Sequence, residues 1–280
     1  MDFHDEIIES VIVYRNKIIN QDISISDVCL VRHPSNFNDS LHQYIQTKYP
    51  EIRILKNLPV NFDYYINITF YSNQVNHQLK YKNNSKFYYI SHVYDKNFIK
   101  DNILYVMPHL GEKHIDCDVL PFTDQKHIQT KTPIFAVQGN LNHTRRDWRA
   151  LIDIFEHTRD INYIIKLIGR GILPEVLMPY RDRIELCNNL NFIDFHRQFL
   201  DVFCLLPLIF EDTQPQYFTS KLTSSINYIK GYKTKSIVPK KLAVLYNICD
   251  KYSYDNRVEF RESFLRLLSD FVSLEGKAVD

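Results

Sequence analysis

The chain has 280 residues, of which 45% are hydrophobic and 14% aromatic, enough to build a packed core in one large or two medium domains. Thirty-four basic side chains stand against 33 acidic ones, a net charge of +1, which excludes the strongly basic footprint of a general nucleic-acid binder. Glycine is scarce, 6 residues, so each one marks a position where the backbone has an unusual task.

The N-terminus, MDFHDEIIES, is acidic and has neither the basic region nor the apolar stretch of a signal peptide. No apolar run approaches the ~20 residues that span a bilayer. Five scattered cysteines without a CxxC pair read as free thiols in a reducing compartment. The expected location is the cytoplasm.

Taken in order, Asp27–Val31 is a short apolar strand that runs into Arg32-His33-Pro34. A helical stretch covers Ser40–Lys48. Ile52–Leu55, Asp63–Phe70, Lys86–Val93 and Asn102–Met107 are further strands. Residues 121–132, polar and bounded by Pro121 and Pro133, read as a linker. A second series begins with the strand Pro133–Val137 and a helix opening at Thr144, with Trp148, Leu151, Ile152 and Phe155 on its inner face. Ile161–Ile168 and Ile184–Leu186 are strands separated by a helical segment, Leu173–Tyr180. Asp194 caps a helix that runs through Phe203, and Leu205–Phe210 is the next strand. A long helix, Gln216–Lys230, stops at Gly231. Ser236–Val238 is the last strand, and Asp255–Val272 a terminal helix with Val258, Phe264, Leu265 and Leu268 on one side. Strands alternating with helices predict an α/β fold of two Rossmann-like domains with mainly parallel sheets.

Charge is unevenly shared: residues 1–130 carry 13 basic and 15 acidic side chains, residues 131–280 carry 21 and 18. Six lysines and no acid lie between Thr213 and Cys249. A lysine run is ordinarily a solvated face. Here it coincides with a helix start after a strand, where open α/β sheets bind anions.

Several signatures are missing: GxxxxGK[ST], a complete GxGxxG, HExxH and GxSxG. Three turns remain informative. In Gln138-Gly139-Asn140-Leu141-Asn142, followed by Arg145 and Arg146, glycine permits close backbone approach to a phosphate and arginine supplies forked hydrogen bonds. An ordinary tight turn with solvated arginines explains the same residues. Gly169-Arg170-Gly171 repeats the pattern one strand later. Thr219-Ser220-Lys221-Leu222-Thr223-Ser224-Ser225 gathers hydroxyls and a lysine at a helix start, as either a diphosphate site or plain N-capping.

In these stretches, IFAVQGNLNHTRRDW, YIIKLIGRG, LNFIDF and YFTSKLTSSINYIKGYK, the chain resembles GT-B glycosyltransferases, above all those of large algal DNA viruses such as the chlorovirus xylosyltransferases of capsid-glycan assembly. The resemblance covers residues ~131–250 and reaches the first half only through its strand rhythm. It implies two domains facing a cleft: residues 1–127 binding the acceptor, 128–254 binding the nucleotide-sugar, and 255–280 forming a terminal helix that braces the first domain. It also implies a nucleotide-diphospho-sugar donor, best UDP-xylose, and an oligosaccharide or glycoprotein acceptor on a viral glycan, with no separate cofactor. Gly139, Asn140, Arg145 or Arg146, Gly169, Arg170, Lys221, Thr223 and Ser224 would hold the donor diphosphate. Asn191, Phe192 and Ile193 would flank its base.

Retaining relatives show two glutamates eight residues apart. Glu211 fits the first, but Thr219 stands at the second, so the expectation is an inverting, metal-independent transfer. Inversion needs a general base from the first domain. His33, directly after the first strand, is the leading candidate, with His92, Asp95 and His109 behind it. Two rivals stay open. A metal-dependent enzyme of the GT-A kind would use Asp116 and Asp118. A non-catalytic carbohydrate-binding protein would keep the cleft without turnover.

Overall fold

A computed structural model of the chain describes five strands of the first half and residues 128–275 apart from 143, 222 and 250, with the side chains of 192, 193, 274 and 275 left aside. The chain divides into two compact units, one of Pro121–Phe218 with Thr223–Asp280 and one of Phe3–Leu120 with Thr219–Leu222.

The N-terminal unit contains β1 (Val28–Val31), β2 (Arg53–Leu55), β3 (Tyr64–Asn67), β4 (Phe87–Ser91) and β5 (Ile103–Tyr105). They pair in the order β2-β1-β3-β4-β5, every pair parallel. All five fall inside the expected strands. The sheet order reverses between β1 and β3, and Val31, which closes β1, stands two residues before His33. The helix expected at Ser40–Lys48 lies outside the described residues.

The C-terminal unit is built on β6 (Ile134–Asn140), β7 (Ile164–Arg170), β8 (Ile184–Asn188), β9 (Cys204–Leu205) and β10 (Lys235–Ser236). Their order, β10-β9-β6-β7-β8, is again wholly parallel and is that of a doubly wound sheet. β6 is its centre, and all its residues but Asn140 are buried. A parallel strand covered on both faces reads as a near-continuous apolar run, which is why IFAV was legible as a strand.

Alternation along the strands sorts the two faces. Phe135, Val137, Ile165 and Leu167 join one cluster with Leu151, Ile154 and Phe155 of α1 (Trp148–His157) and Phe260, Phe264, Leu267 and Leu268 of α5 (Arg257–Glu275). The rings of Phe135 and Phe264 lie 4.3 Å apart there. The opposite face meets α2 (Phe192–Arg197) and α3 (Ser224–Tyr232), where Phe199 stacks on Tyr228 with ring centroids 4.8 Å apart. Also on that face the buried Lys166 reaches both carboxylate oxygens of Asp201, at 2.9 and 2.8 Å.

Several boundaries differ from the sequence expectation. The terminal helix supplies core side chains to the C-terminal unit; on it Val258 is exposed and Phe260 takes the inner position. Leu205–Phe210 is not one strand: Pro207 has no N–H for a ladder, so β9 ends at Leu205 and the chain turns through Leu208 at φ 51°, still fully buried. The helix expected over Gln216–Lys230 is split into a 3-10 turn, Pro215–Phe218, and α3, which passes Gly231 and ends with Lys233 in the left-handed region. Asn191, not Asp194, caps α2, its Oδ1 accepting the Asp194 N–H at 3.0 Å, and the helix stops at Arg197. A short helix, α4 (Lys240–Leu245), had no sequence signal. Of the expected linker, Ile128 already donates its N–H to the Leu200 carbonyl at 2.7 Å.

Where β6 and β7 end, Gly139 faces Gly169 in register. A Cβ placed on Gly169 would sit 1.7 Å from the Gly139 carbonyl oxygen, a backbone atom that has nowhere to go. Gly169→Ala is therefore expected to destabilise the protein by about 1–3 kcal/mol or more, read as a lower urea midpoint with unchanged slope.

Candidate functional site

In a doubly wound sheet the ligand crevice lies beyond the carboxyl ends of the strands. Here that edge carries a cavity of about 570 Å³, within the usual range for small-molecule sites. Its wall is made by Asn140–Asn142 after β6, Arg170–Val176 after β7, and Trp148 at the start of α1.

Local hydrogen bonds fix this wall. The Leu141 N–H donates to the Arg170 carbonyl at 3.0 Å, lacing the two loops together. Asn140 and Asn142 each close a small turn, their Oδ1 atoms accepting the N–H of Asn142 and of Thr144 at 3.0 Å. Gly171 has φ 134°, a conformation closed to ordinary side chains, and its carbonyl is held by the Asn188 amide at 3.0 Å. The rim beyond it is apolar and open, with Ile172 80% exposed. Among the described residues, Arg170 and Glu175 are the charged ones of the lining, and both are exposed.

Between β6 and β9, where the strand order reverses, the polar groups are occupied by one another. Gln138 is 1% exposed, and its Oε1 accepts from Ser225 Oγ at 3.1 Å and from Ser224 Oγ at 3.4 Å. The first turn of α3 is thereby tied to the end of β6. Arg146 is buried with one guanidinium nitrogen on the Gln138 carbonyl and another on the Arg145 carbonyl at 2.8 Å. The two adjacent arginines thus part ways: Arg146 props the backbone, while the half-buried Arg145 reaches the Tyr217 hydroxyl at 3.4 Å.

Behind the cavity, Arg257 ties three elements together. Its Nε donates to Asp147 Oδ2 at 2.9 Å and its Nη1 to Asp212 Oδ2 at 2.8 Å, and its guanidinium lies 4.7 Å from the centre of the Phe210 ring. Asp147 caps α1, accepting the Arg149 N–H at 3.1 Å, and its own N–H bonds the Leu208 carbonyl at 3.0 Å. Tyr254 donates to the Ile209 carbonyl at 2.8 Å. The loop after β9 is therefore held through its backbone oxygens.

The expected donor residues separate accordingly. Asn140 and Arg170 line the cavity. Gly139 and Gly169 serve the approach of β6 to β7. Ser224 bonds Gln138, and Thr223 is the N-cap of α3 without a side-chain cap bond. Phe192 and Ile193 open α2. Lys221 groups with the N-terminal unit. Arg146 is buried, with its guanidinium on the carbonyl oxygens of Gln138 and Arg145. Glu211 pairs with Lys241 at 2.5 Å on the surface. His33, His92, Asp95, His109, Asp116 and Asp118 lie outside the described residues. Sequence reasoning missed Gln138, Glu175 and the Asp147–Arg257–Asp212 clamp; the one available signal was Asp147 directly before the apolar helix stripe.

Among the described residues no group of three or more His, Cys, Asp or Glu side chains is arranged to hold a metal ion, and no helix is long and apolar enough to cross a membrane. Burial, a nearby Glu185 carboxylate and a thiol hydrogen bond to it push the Cys187 thiol up to about 12. Cys204, fully buried, is pushed higher still.

No protein-family model matches the chain, and no curated protein matches it. Solved structures do resemble it. TarM is similar over 87% of this chain at 14% identity with a TM-score of 0.43; the chain spans only 44% of TarM's length. AviGT4, a glycosyltransferase involved in avilamycin A biosynthesis, is similar over 90% of this chain and 95% of its own, at 10% identity and a TM-score of 0.44. The wall teichoic acid polymerase TagF is similar over 96% and 92%, at 11% identity and 0.33.

Two outcomes follow from the burial pattern. Iodoacetamide at neutral pH is expected to alkylate the exposed Cys249 well before Cys187 or Cys204, read by peptide mass spectrometry. Arg257→Met strands the buried Asp147 and is expected to lower stability by about 1–3 kcal/mol near neutral pH. Arg257 also holds the Asp212 carboxyl below its usual value. That contribution is complete above the ordinary carboxylate pKa of ~3.9 and is lost as pH falls through the lowered folded value, so the gap between wild type and variant should narrow below about pH 4.

Proposed function

We propose that the protein is a glycosyltransferase that moves a sugar from a nucleotide-diphospho-sugar to a carbohydrate acceptor. The observation that carries this reading is the cavity at the carboxyl ends of β6 and β7, the edge of a parallel doubly wound sheet at which ligand crevices lie. The sequence resemblance to GT-B enzymes supports it and suggests UDP-xylose as donor, a viral glycan or glycoprotein as acceptor, and a cytosolic place of action.

The proposed transfer inverts the anomeric centre and needs no resident metal. The acceptor hydroxyl oxygen attacks the anomeric carbon, the bond from that carbon to the diphosphate oxygen breaks, and UDP leaves with the electron pair. His33 is the proposed base that takes the hydroxyl proton. In sequence it comes two residues after β1, and the N-terminal sheet reverses its strand order between β1 and β3. Arg170 and the amino end of α3 stabilise the departing diphosphate. The surface pair of Glu211 with Lys241 and the threonine at position 219 speak against the two-glutamate arrangement of retaining relatives.

The full-length protein should be stabilised by UDP without added metal. At ~100 times the dissociation constant the gain is about 2.7 kcal/mol, visible as a higher melting temperature. With UDP-xylose and a glycan acceptor, His33→Ala should lower kcat by roughly 10²–10⁴-fold with UDP affinity retained. Stabilisation by UDP with no transfer to any acceptor would identify a binding protein, and activity lost in chelator and restored by Mn²⁺ would identify a metal-dependent enzyme.

A further inference from the structure

Asparagines punctuate the carboxyl ends of the strands in the C-terminal unit. Asn140 ends β6 and Asn142 lies just beyond it, Asn188 ends β8, and Asn191 caps α2. A carboxamide has an oxygen that only accepts and a nitrogen that only donates. Asn188 and Asn191 spend the nitrogen inside the protein, on the Gly171 carbonyl at 3.0 Å and on Asp194 Oδ2 at 2.6 Å. Asn140 and Asn142 do the reverse. Their oxygens are taken by the backbone N–H groups of Asn142 and Thr144, each at 3.0 Å. Only the oxygen can accept such a bond, so the orientation of each amide is fixed and the nitrogen is the end left over. Among the described residues neither Nδ2 has a partner in the protein. Both side chains reach the surface, Asn140 half-buried and Asn142 exposed, and both line the cavity.

Arg170 belongs with them. It stands in register with Asn140 at the last rung of the β6–β7 ladder, lines the same cavity, and is exposed. A guanidinium, too, can only donate. Two amide nitrogens and a guanidinium therefore gather where the two strands end, and none of the three can accept a proton. A hydroxyl brings a proton that must itself be met. An anionic oxygen brings none, and it accepts several bonds at once, each stronger than one to a neutral oxygen.

We infer that Asn140 and Asn142 are a pair of specificity-determining donors, giving their Nδ2–H groups to the phosphate oxygens of the ligand beside the Arg170 guanidinium. The inference rests on the donor-site reading above and deepens it: the charged middle of the nucleotide-sugar lies against the loop after β6, and that loop recognises it through side chains whose other ends shape the loop. Each asparagine then has two tasks, which a single substitution can separate. Aspartate has the same shape, and its oxygen still accepts the backbone N–H that closes the turn. Its outward end, however, changes from a neutral donor to an anionic acceptor.

The full-length protein, N140D and N142D are each titrated with UDP and with uridine, which lacks the phosphates, by calorimetry and by the shift in melting temperature. Both variants are expected to bind UDP about 10- to 100-fold more weakly than wild type and uridine as wild type does. Their own melting temperatures without ligand should stay close to wild type, because the turns keep their caps. Wild-type affinity for UDP in both variants would overturn the inference and leave the donor reading standing. So would an equal loss of affinity for UDP and uridine, which would assign the amides to the nucleoside. A wild-type protein that no nucleotide stabilises would bring down both.

Discussion

Two facing glycines set the working edge of the C-terminal unit. With a hydrogen at Gly169 where any other residue has a carbon, the carbonyl of Gly139 comes close enough for β6 and β7 to stay in register to their last residues. The loops then depart side by side, and the bond from Leu141 to the Arg170 carbonyl continues the pairing one step past the sheet. The cavity wall is in this sense an extension of the ladder. Widening the strands there would move Asn140 away from Arg170 and open the space between them.

Around that edge, polar groups fall into two populations. One is consumed inside the protein: Gln138 by two serines, Arg146 by carbonyl oxygens, Asp147 by Arg257 and a helix N–H. These bonds compensate for desolvation and hold irregular backbone in place. The buried loop after β9 needs them most, because Leu208 sits in a left-handed conformation that costs energy for a bulky residue. The other population, Arg170 and Glu175, remains solvated at the cavity mouth. Rigidity behind the wall and solvated charge in front of it is the arrangement expected of a largely pre-formed site.

Strands were readily legible in the sequence because burial on both faces demands unbroken apolar runs, and YIIKLIGRG or IFAVQGN fit nothing else well. Helix limits were less so. Gly231 looked like a stop, yet α3 uses Lys233 for its left-handed cap, and the hydroxyls of the TSKLTSS stretch gave no hint that the helical path is interrupted there, between a 3-10 turn ending at Phe218 and α3 starting at Ser224. At the site, a glycine that admits a phosphate and one that admits a neighbouring strand are the same letter. Arg145 and Arg146 likewise differ only in which side of the backbone they leave, and sequence does not carry that. Trp148 was recognised as inward-facing from its helical spacing.

Lys166 and Asp201 illustrate how such a fold constrains its own history. The lysine side chain keeps 5% of its exposure and the aspartate side chain 25%, with Glu185 a more distant second partner at 3.6 Å. Losing the lysine first leaves an acid that water can still reach. Losing the aspartate first leaves a buried cation whose remaining counter-charge stands at arm's length. Neutral drift toward an apolar pair therefore has a preferred order of steps, lysine before aspartate, and lineages that lose the two in the opposite order cross the deeper fitness valley.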